Sequence, residues 1–194
     1  MLPTIAFRAL ARRDLEMLRG WLNRPEVYEW WGRHTGPGSL GGAGADAATG
    51  AEVAAKYGPE IDAPGTTHRF IIVLGGRGVG LIQWYDLRDF PDYACAIGEL
   101  SAGAAGIDVL IGEPAAMGRG IGSAALEQFV RSIVFAANGI IRAVAGPATT
   151  NGRSIRAFEK AGFVRARDVP VSGKPVREAV MVRRKEGEPG PGGA

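Results

Sequence analysis

The strongest hydrophobic pattern lies in the second half of the chain. A short apolar run at residues 107–111 predicts a central strand, and apolar side chains recur at helical spacing from Leu126 to Val134. Between these two elements, residues 117–123 read Met-Gly-Arg-Gly-Ile-Gly-Ser. Because glycine has no Cβ, a ligand can approach the backbone of such a turn closely. The pattern therefore predicts a strand, a glycine-rich turn and a helix in direct succession.

Antiparallel pairs of strands are predicted on both sides of this unit. Residues 68–74 and 79–85 flank a glycine-rich turn and predict a hairpin, and a second hairpin closes the chain around residues 172–175. The same patterns predict an edge strand at 4–10, helices at 12–22 and 153–161, a strand at 140–145, and closing hairpin strands at 163–171 and 177–183. Thr150 or Asn151 could cap the second of these helices. Together these elements predict an α/β sandwich rather than a doubly wound fold.

Four segments carry weaker signals. Residues 34–50 are rich in glycine and poor in apolar side chains, which predicts a flexible loop, either a mobile lid or disordered. Residues 51–57 predict one or two helical turns that end before Pro59. Residues 92–99 predict a weak strand or a loop, and residues 102–106 predict a flexible segment before the central strand.

Length and composition favour a single globular domain, which we place at residues 1–185. Of the 194 residues, 46% are hydrophobic and 22% are charged, which allows a sizeable core. The glycine- and proline-rich residues 186–194 predict a disordered tail. No run approaches the ~18 consecutive apolar residues of a membrane span, and the amino terminus does not have the pattern of a signal peptide. We therefore expect a cytoplasmic protein with no membrane partner.

Charge and cysteine content argue against several kinds of site. The formal net charge is +3, and Lys and Arg are scattered along the chain rather than clustered. Nothing in this distribution argues for binding to nucleic acid. The single cysteine, Cys95, excludes an internal disulfide, and with only two histidines the chain has few ligands for zinc. We therefore expect no nucleic acid partner and no metal.

The glycine-rich turn is also a candidate anion site. The first N–H groups of the following helix lack internal partners and carry partial positive charge. Glycines in front of them suit the binding of a phosphate group. A tight connection between strand and helix, without any ligand, explains the same glycines equally well.

Two motifs together carry a resemblance to a known family. The turn at residues 117–123 is followed, after another predicted strand, by Asn151 and by Ile-Arg-Ala-Phe-Glu-Lys-Ala-Gly-Phe at residues 155–163. In combination these motifs resemble the GNAT acetyltransferases. The resemblance implies a mixed, mostly antiparallel central sheet flanked by helices, and a turn that binds the pyrophosphate of acetyl-CoA. It implies that the cofactor-binding residues are Val109, Leu110, Ile111, Met117, Gly118, Arg119, Gly120, Ile121, Gly122, Ser123, Asn151, Arg153 and Phe158.

A narrower resemblance rests on two further segments. Residues 21–32 read Trp-Leu-Asn-Arg-Pro-Glu-Val-Tyr-Glu-Trp-Trp-Gly, and residues 106–112 read Gly-Ile-Asp-Val-Leu-Ile-Gly. They resemble the aminoglycoside 6'-N-acetyltransferases, although acyltransferases of siderophore synthesis share the Trp-Trp segment. The resemblance implies acetyl transfer from acetyl-CoA to the 6'-amine of an aminoglycoside. Two alternatives stay open: acyl transfer to a siderophore hydroxylysine, a polyamine or a protein N-terminus, or a CoA- or aminoglycoside-binding protein with weak catalysis. A monomer and a homodimer are both compatible with the sequence.

Asp108 is the candidate catalytic carboxylate. An alkyl ammonium group is mostly protonated at pH 7, and a carboxylate beside it can orient the amine and accept a proton. A lone aspartate in an apolar strand is costly unless it is paired or solvated, so a structural role bonded to nearby backbone is the alternative. We also expect a local bulge in the strand beside Asp108. The backbone N–H groups of this bulge would hold the thioester oxygen.

Two motif positions depart from the family pattern. Met117 stands where the phosphate motif usually opens with Gln or Arg, and Phe158 stands where relatives carry a tyrosine that acts as general acid. Phe158 cannot donate a proton, so we expect water or Ser154, a second catalytic candidate, to assist the departing thiolate. Because a general acid contributes ~100-fold or more, this predicts a slower enzyme.

A polycationic substrate requires carboxylates and aromatic faces around it. The predicted substrate-binding residues are Trp30, Trp31, Gln83, Tyr85, Asp92, Glu99 and Asp108, and Trp84 is a further candidate wall. Glu99 is included because Ser101 stands where the resembled enzymes carry an acidic residue. Gly146 likewise stands where they often carry a polar or acidic side chain. The alternatives are a tryptophan cap on the core and a solvated, charged loop.

Overall fold

The structure, a computed structural model, describes residues 4–32, 47–63, 65–99, 102–171 and 176–187. Ser101, most of the predicted loop at 34–50 and most of the predicted tail lie outside these residues. The strands are β1 (Ile5–Ala9), β2 (Thr67–Leu74), β3 (Arg77–Asp86), β4 (Ala104–Ile111), β5 (Arg142–Ala145), β6 (Val164–Val169) and β7 (Glu178–Arg184). The α-helices are α1 (Leu15–Leu22), α2 (Pro25–Val27), α3 (Gly50–Asp62), α4 (Pro91–Ala96), α5 (Ile121–Phe129) and α6 (Gly152–Lys160). Short 3₁₀ turns lie at Arg12–Asp14, Leu87–Asp89 and Pro114–Ala116, and π-helical turns at Tyr28–Gly32 and Val130–Val134.

Within the described chain the seven strands form one sheet, in the order β1-β2-β3-β4-β5-β7-β6. β4 and β5 are parallel, and all other neighbours are antiparallel. The β2–β3 hairpin turns at Gly75 and Gly76. Both have positive φ angles, 55° and 83°, and a two-residue turn of this kind matches the twist of the paired strands. The predicted fold class, edge strand and hairpins are confirmed.

The helix predicted to end before Pro59 continues to Asp62. It begins at a capping box, in which the Glu52 N–H donates to the Thr49 hydroxyl at 3.2 Å and the Thr49 N–H donates to the Glu52 carboxylate at 2.8 Å. Pro59 has no N–H to donate inside this helix. Tyr57, only 2% exposed, anchors the same turn in the core. Packing therefore outweighs the missing hydrogen bond.

The structure also differs from the prediction in two segments before the central strand. Within residues 92–99, a helix replaces the predicted strand or loop: α4 starts at Pro91, whose fixed φ suits a first helical position, and it buries Ala94. The strand β4 begins at Ala104, inside the segment predicted to be flexible. Small side chains at this end of β4 are buried between β3 and β5, and this packing orders the segment.

Helices cover both faces of the sheet. On one face, α5 and α6 pack over a core that includes Ile82, Ile107 and Phe129. On the other face, α1 and α3 cover one cluster of buried residues around Trp21, and α4 covers a second cluster around Val144. We call these the first and the second cluster.

A polar gap separates the two clusters on that second face. Successive side chains of a strand point to opposite faces, so alternate residues of β3 and β4 share it. Leu81 and Leu110 belong to the first cluster, and Tyr85 packs against the second. Gln83 and Asp108 lie between them in the two strands, and they therefore occupy the gap.

The sheet opens beside this gap, between β4 and β5. The two parallel strands pair only over residues 104–106 of β4 and 142–144 of β5, although β4 continues to Ile111. Beyond Gly106, β4 has no pairing with β5 in the described residues. We call this opening the notch, and Asp108 lies on its border.

Candidate active site

The notch presents backbone donors of β4. Gly112, one residue past the strand, donates its N–H to the Val79 carbonyl of β3 at 2.9 Å. Alternate residues of an antiparallel strand direct their N–H groups to the same neighbour, so those of Val109 and Ile111 face away from β3, towards the notch. Leu110 differs, because its N–H faces β3 and its side chain is buried in the first cluster. Two of the three predicted cofactor-binding residues in β4 thus offer donors to a ligand in the notch.

The bulge expected beside Asp108 is absent from the described strands. β3 and β4 pair in unbroken register over their shared length, with Asp108 opposite Gln83. The irregularity lies just past β4, where the N–H groups of Gly112 and Glu113 both donate to the Val79 carbonyl, at 2.9 and 3.1 Å. The prediction was wrong because the glycine that breaks the pairing follows the strand instead of interrupting it.

The glycine-rich turn starts α5 against the end of β4. A Cβ at Gly122 would lie 3.6 Å from the Ile111 side chain. Gly118 and Gly120 have φ angles of 71° and 78°, a conformation that other residues rarely adopt, and a Cβ on either would meet no atom within 4 Å. The space over both glycines is therefore open to a ligand. The first N–H groups of α5, from Ile121 onward, lack internal partners, and this arrangement fits a phosphate group.

Other predicted residues of the turn take different positions. The Ser123 hydroxyl donates to the Gly120 carbonyl at 2.9 Å and supports the start of α5. Arg119 is exposed. Met117 donates its N–H to the Pro114 carbonyl at 3.1 Å and packs its side chain against the first cluster. Met117 therefore supports the turn from its core side, and its N–H already donates to the Pro114 carbonyl.

The α6 helix begins with Asn151, whose Oδ1 accepts the Ser154 N–H at 3.0 Å. This contact decides the cap in favour of Asn151. Arg153 is exposed and Ser154 is half-buried in the same turn. Phe158 is 3% exposed and packs edge-on against Phe163, with 5.1 Å between the ring centroids. The structure thus places Phe158 in the core, whereas Asn151, Arg153 and Ser154 border the surface.

A row of three polar side chains crosses the gap between the clusters. Arg69 on β2, Gln83 on β3 and Asp108 on β4 are direct neighbours in register. Arg69 Nε–H donates to Gln83 Oε1 at 3.0 Å, and Gln83 Nε2–H donates to Asp108 Oδ2 at 2.8 Å. Asp108 is half-buried. A side-chain donor, and not the nearby backbone alone, therefore holds the lone aspartate of the apolar strand.

Aromatic side chains surround Asp108. Burial raises the pKa of the Tyr57 hydroxyl, and a hydrogen bond with Trp31 opposes this shift in part. Trp31 is 8% exposed within the first cluster, and the neighbouring Trp30 is half-buried. Burial also raises the pKa of Tyr85 well above its ordinary value, and the charge of Asp108 adds to the shift. The carboxylate therefore has neutral tyrosine hydroxyl groups within electrostatic range, and Trp31 contacts one of them.

A second buried carboxylate lies on the same face. Glu178, the first residue of β7, is 2% exposed, and its Oε2 accepts the hydroxyl of Tyr93 from α4 at 3.0 Å. Gly146 lies against this pair, since a Cβ there would overlap the Glu178 carboxylate. Burial raises the pKa of Tyr93 well above its ordinary value, and Tyr85, Glu178 and Asp108 add to the effect. Asp108 and Glu178 thus both raise the pKa of Tyr85 and Tyr93.

Sequence reasoning missed Arg69, Tyr57, Tyr93 and Glu178. A signal existed for two of them: Arg69 and Glu178 each stand at the edge of an apolar strand run, and a charge in such a place needs a partner when it is buried. The two tyrosines lie on α3 and α4, whose extents the periodicity did not indicate. Their inward orientation becomes evident only in the folded chain.

Several predicted substrate-binding residues do not join the row. Glu99 forms an ion pair with Arg142 at 2.6 Å, beside the first residues of β4 and β5 and not beside the second half of β4. Glu99 is buried and the Arg142 side chain is only 12% exposed, so the carboxylate compensates a guanidinium instead of facing a substrate. Trp84 lies on the opposite face, stacked on His68 with 4.4 Å between the ring centroids. Asp92 is exposed on α4.

The described residues lack two kinds of feature. They contain no cluster of three or more His, Cys, Asp or Glu side chains arranged to hold a metal ion. Nor does any helix in them combine the length and the hydropathy needed to cross a membrane.

Comparison with protein families and curated proteins gives a consistent result. Residues 11–171 match the family described as an acetyltransferase (GNAT) domain. Aminoglycoside N(6')-acetyltransferases type 1 of Klebsiella pneumoniae and Serratia marcescens are each 29% identical over 181 residues, which cover 93% of this chain and 84% of the relative.

Solved structures show the same similarity. Aminoglycoside acetyltransferase AAC(6')-Ib in complex with coenzyme A and kanamycin superposes with a TM-score of 0.71 at 27% identity, covering 93% of this chain and 95% of that one. Spermidine N-acetyltransferase from Vibrio cholerae, in complex with CoA and spermine, has a TM-score of 0.68 at 16% identity, covering 93% of this chain and 95% of that one. The second likeness shows a shared fold.

Proposed function

The chain belongs to the GNAT acetyltransferase family and is an acyltransferase that uses acetyl-CoA, and from this premise we propose that it acetylates the 6'-amine of an aminoglycoside. The predictions of family and cofactor from the sequence are confirmed, while the substrate is our proposal. One observation carries it: Asp108 is a half-buried carboxylate on the border of the notch. The charge of this carboxylate acts on the hydroxyl groups of Tyr57 and Tyr85, which lie on the same face of the sheet.

The described residues fit acetyl-CoA. The N–H groups of Val109 and Ile111 would hold the amide-bearing arm along the notch, and the first turn of α5 behind Gly118 and Gly120 would hold the pyrophosphate. When bound, acetyl-CoA supplies the acetyl group as an activated thioester. Asn151 would lie beside the cofactor at the start of α6, the helix that packs against α5.

Asp108 would act on the acceptor amine. An alkyl ammonium has a pKa of about 10.4 and must lose a proton before its nitrogen can attack. A carboxylate can orient that ammonium by a charge-assisted hydrogen bond and can accept its proton, directly or through water. The freed nitrogen would then attack the acetyl carbonyl, so that the C–N bond forms as the C–S bond breaks, and the second proton of the nitrogen would pass to the thiolate or to water.

The surroundings of Asp108 suit a cationic sugar. Trp30, half-buried next to the buried Trp31, is the candidate aromatic surface, of the kind that favours sugar rings and cations. Glu178 is a second carboxylate on the same face, buried behind the Tyr93 hydroxyl, and Asp92 is exposed on α4. More than one carboxylate on this face matches a substrate with several ammonium groups better than one with a single amine.

The departing thiolate has no tyrosine at the family's usual position. Phe158 lies in the core and has no proton to give. Ser154, half-buried one turn earlier on α6, or a water molecule would supply the proton. Because thiol pKa values are moderate, the thiolate can also leave without a side-chain acid, at a lower rate.

A thiol-release assay with acetyl-CoA and a panel of amines tests the proposal. We expect turnover with kanamycin and tobramycin, and NMR of the product should locate the new amide at the 6' nitrogen. An aminoglycoside with a hydroxyl group at the 6' position is the matched control and should not react. Turnover with spermidine, N-hydroxylysine or a peptide amine alone would identify a different acceptor. Binding without turnover would indicate a binding protein and overturn the proposal.

A further inference from the structure

The row formed by Arg69, Gln83 and Asp108 is buried at one end and open at the other. The Arg69 side chain is 12% exposed, whereas Asp108 is half-buried beside the gap. The three residues occupy facing positions on β2, β3 and β4. The backbone pairing of three strands therefore fixes the spacing of the side chains.

Arg69 decides which end of the Gln83 carboxamide faces Asp108. A guanidinium has only donors, so the amide oxygen of Gln83 must turn towards it, and this oxygen lies 3.0 Å from Arg69 Nε. The NH₂ end then faces Asp108, whose Oδ2 it meets at 2.8 Å. A reversed amide would set donor against donor on one side and acceptor against acceptor on the other, which is costly in a partly buried site.

Two residues of α3 hold Arg69 in place. Its guanidinium forms an ion pair with Glu60 of α3 and lies over the Tyr57 ring, with Cζ 5.1 Å from the ring centroid. Burial lowers the pKa of Arg69, and Tyr57 and Asp108 oppose the shift. Arginine nevertheless stays charged at any ordinary pH. The row therefore has a fixed positive charge behind Gln83.

We propose that Gln83 and Arg69 are positioning residues for Asp108, which keep its carboxylate ionised and turned towards the acceptor amine. The inference rests on the proposed role of Asp108 as proton acceptor. The row engages the amide oxygen and one of the two amide hydrogens of Gln83, so the sequence-based prediction that Gln83 binds the substrate stays a prediction beside this role. A hydrogen bond to an ionised carboxylate favours that form, so without it Asp108 would take up a proton at a higher pH.

Other titratable groups act on Asp108 from the elements packed around it. The tyrosines among them stay neutral where carboxylates titrate, because their pKa values are raised above an already high ordinary value. A charge on Glu178, which acts on Tyr85 and Tyr93, would oppose that of Arg69 at Asp108. Among the described residues these groups are Tyr57 on α3, with Lys56 and Glu60 near Arg69 on the same helix, Tyr85 on β3, Tyr93 on α4 and Glu178 on β7.

The substitution Gln83→Met is the main test, because methionine has a similar length but no hydrogen-bond donor. We expect kcat/KM to fall at least about tenfold, mostly through kcat, and the acid limb of its pH profile to move to higher pH. The matched control is Gln128→Met. Gln128 lies on α5 and donates its carboxamide to the Ile5 carbonyl at 3.2 Å, away from the row. We expect neither change in this control.

A second pair of variants separates charge from geometry. Arg69→Lys keeps a positive charge and a donor, so it should retain most of the wild-type acid limb. Arg69→Met removes both, and its acid limb should move to higher pH, as in Gln83→Met. Because Arg69 also pairs with Glu60, all rates are normalised to the folded fraction measured by circular dichroism.

A carbon-13 NMR titration of the Asp108 carboxyl group gives a readout independent of turnover. The signal is assigned by its loss in Asp108→Asn, and neither acetyl-CoA nor an amine is added. We expect the titration midpoint to rise in Gln83→Met and to stay unchanged in Gln128→Met. An unchanged midpoint together with an unchanged acid limb would overturn the inference, whatever the loss of stability. Failure of the wild type to acetylate aminoglycosides would overturn only the proposed substrate, since the titration still tests the row.

Discussion

Gly146, just past β5, lies against the carboxylate of Glu178 at the start of β7. A Cβ at residue 146 would overlap Glu178 Oε2 and come within 2.6 Å of the Tyr93 hydroxyl oxygen. The carboxylate thus fills the space that a side chain at residue 146 would need. Three elements that are distant in sequence meet at this point, and the absence of a side chain at one residue permits the contact between the other two.

We therefore predict that Gly146→Ala destabilises the fold. Inserting a methyl group into a filled site typically costs about 1–3 kcal/mol, and urea unfolding measures the loss. The control is Gly20→Ala on α1, where a Cβ would meet no atom within 4 Å. Alanine is the better helix former, so this control should gain up to about 1 kcal/mol. Equal stability of Gly146→Ala and the wild type would contradict the observed contact.

Asp108→Asn should lower kcat/KM at least about tenfold with the fold intact. Asparagine has the same shape and can still accept the hydrogen bond from Gln83, but it cannot accept a proton from the amine. Steady-state kinetics with an aminoglycoside and acetyl-CoA measure the loss. Asp168→Asn, in an exposed ion pair with Arg165 on β6, serves as the control and should leave kcat/KM unchanged. A rate for Asp108→Asn within twofold of the wild type would remove Asp108 from the mechanism.

The central unit could be predicted from the sequence because its signals are local. The apolar run of β4, the glycines at 118 and 120 and the helical period of α5 lie within one continuous stretch. Their order also specifies an opening where a ligand can reach the backbone. The helix at 91–96 could not be predicted in this way, since it is too short to show a period of 3.6 residues.

The row of Arg69, Gln83 and Asp108 could not be predicted from the sequence for a different reason. Arg69 and Gln83 are 14 residues apart, and Gln83 and Asp108 are 25 apart. Only the register of two strand pairs brings them side by side, and a shift of one residue would send each side chain to the other face. Composition and periodicity do not contain that register. The same holds for the buried Glu99, whose partner Arg142 lies 43 residues away.

Gly112→Ala should weaken both the fold and the binding of acetyl-CoA. A Cβ at Gly112 would overlap the Trp21 ring, whose indole N–H donates to Glu113 Oε1 at 2.8 Å. Displacing Trp21 would disturb α1 and the start of the glycine-rich turn together, at a cost of about 1–3 kcal/mol. We expect a lower Tm and a KM for acetyl-CoA raised several-fold.

The comparison variant for Gly112→Ala is Trp21→Phe, which removes the hydrogen bond to Glu113 but adds no atoms. It should show a smaller loss of stability and a smaller rise in KM. A destabilised Gly112→Ala with an unchanged KM for acetyl-CoA would mean that the glycine-rich turn is independent of α1.

The ion pair between Arg8 and Asp14 should make stability depend on pH in the acid range. Arg8 on β1 donates from Nη1 and Nη2 to the two Asp14 oxygens at 2.6 and 2.7 Å, and the Ala11 N–H donates to Oδ2 at 3.0 Å. The hydrogen bonds from Arg8 lower the pKa of Asp14 below its ordinary 3.8, and burial opposes this in part. Because the folded state has the lower pKa, the pair stabilises fully above about pH 4 and loses its effect as pH falls further.

We therefore predict that Asp14→Asn lowers the free energy of unfolding by about 1 kcal/mol between pH 5 and 7. The magnitude is modest because the Arg8 side chain is 37% exposed and solvent screens the pair. The difference from the wild type should shrink as pH falls from about 4 to about 2, since protonation then removes the charge of Asp14 in the wild type as well. Urea unfolding at each pH measures it, with Asp168→Asn as the exposed control expected to show a smaller change. A difference that stays constant down to about pH 2 would show that the Ala11 hydrogen bond or packing, and not the ion pair, carries the effect.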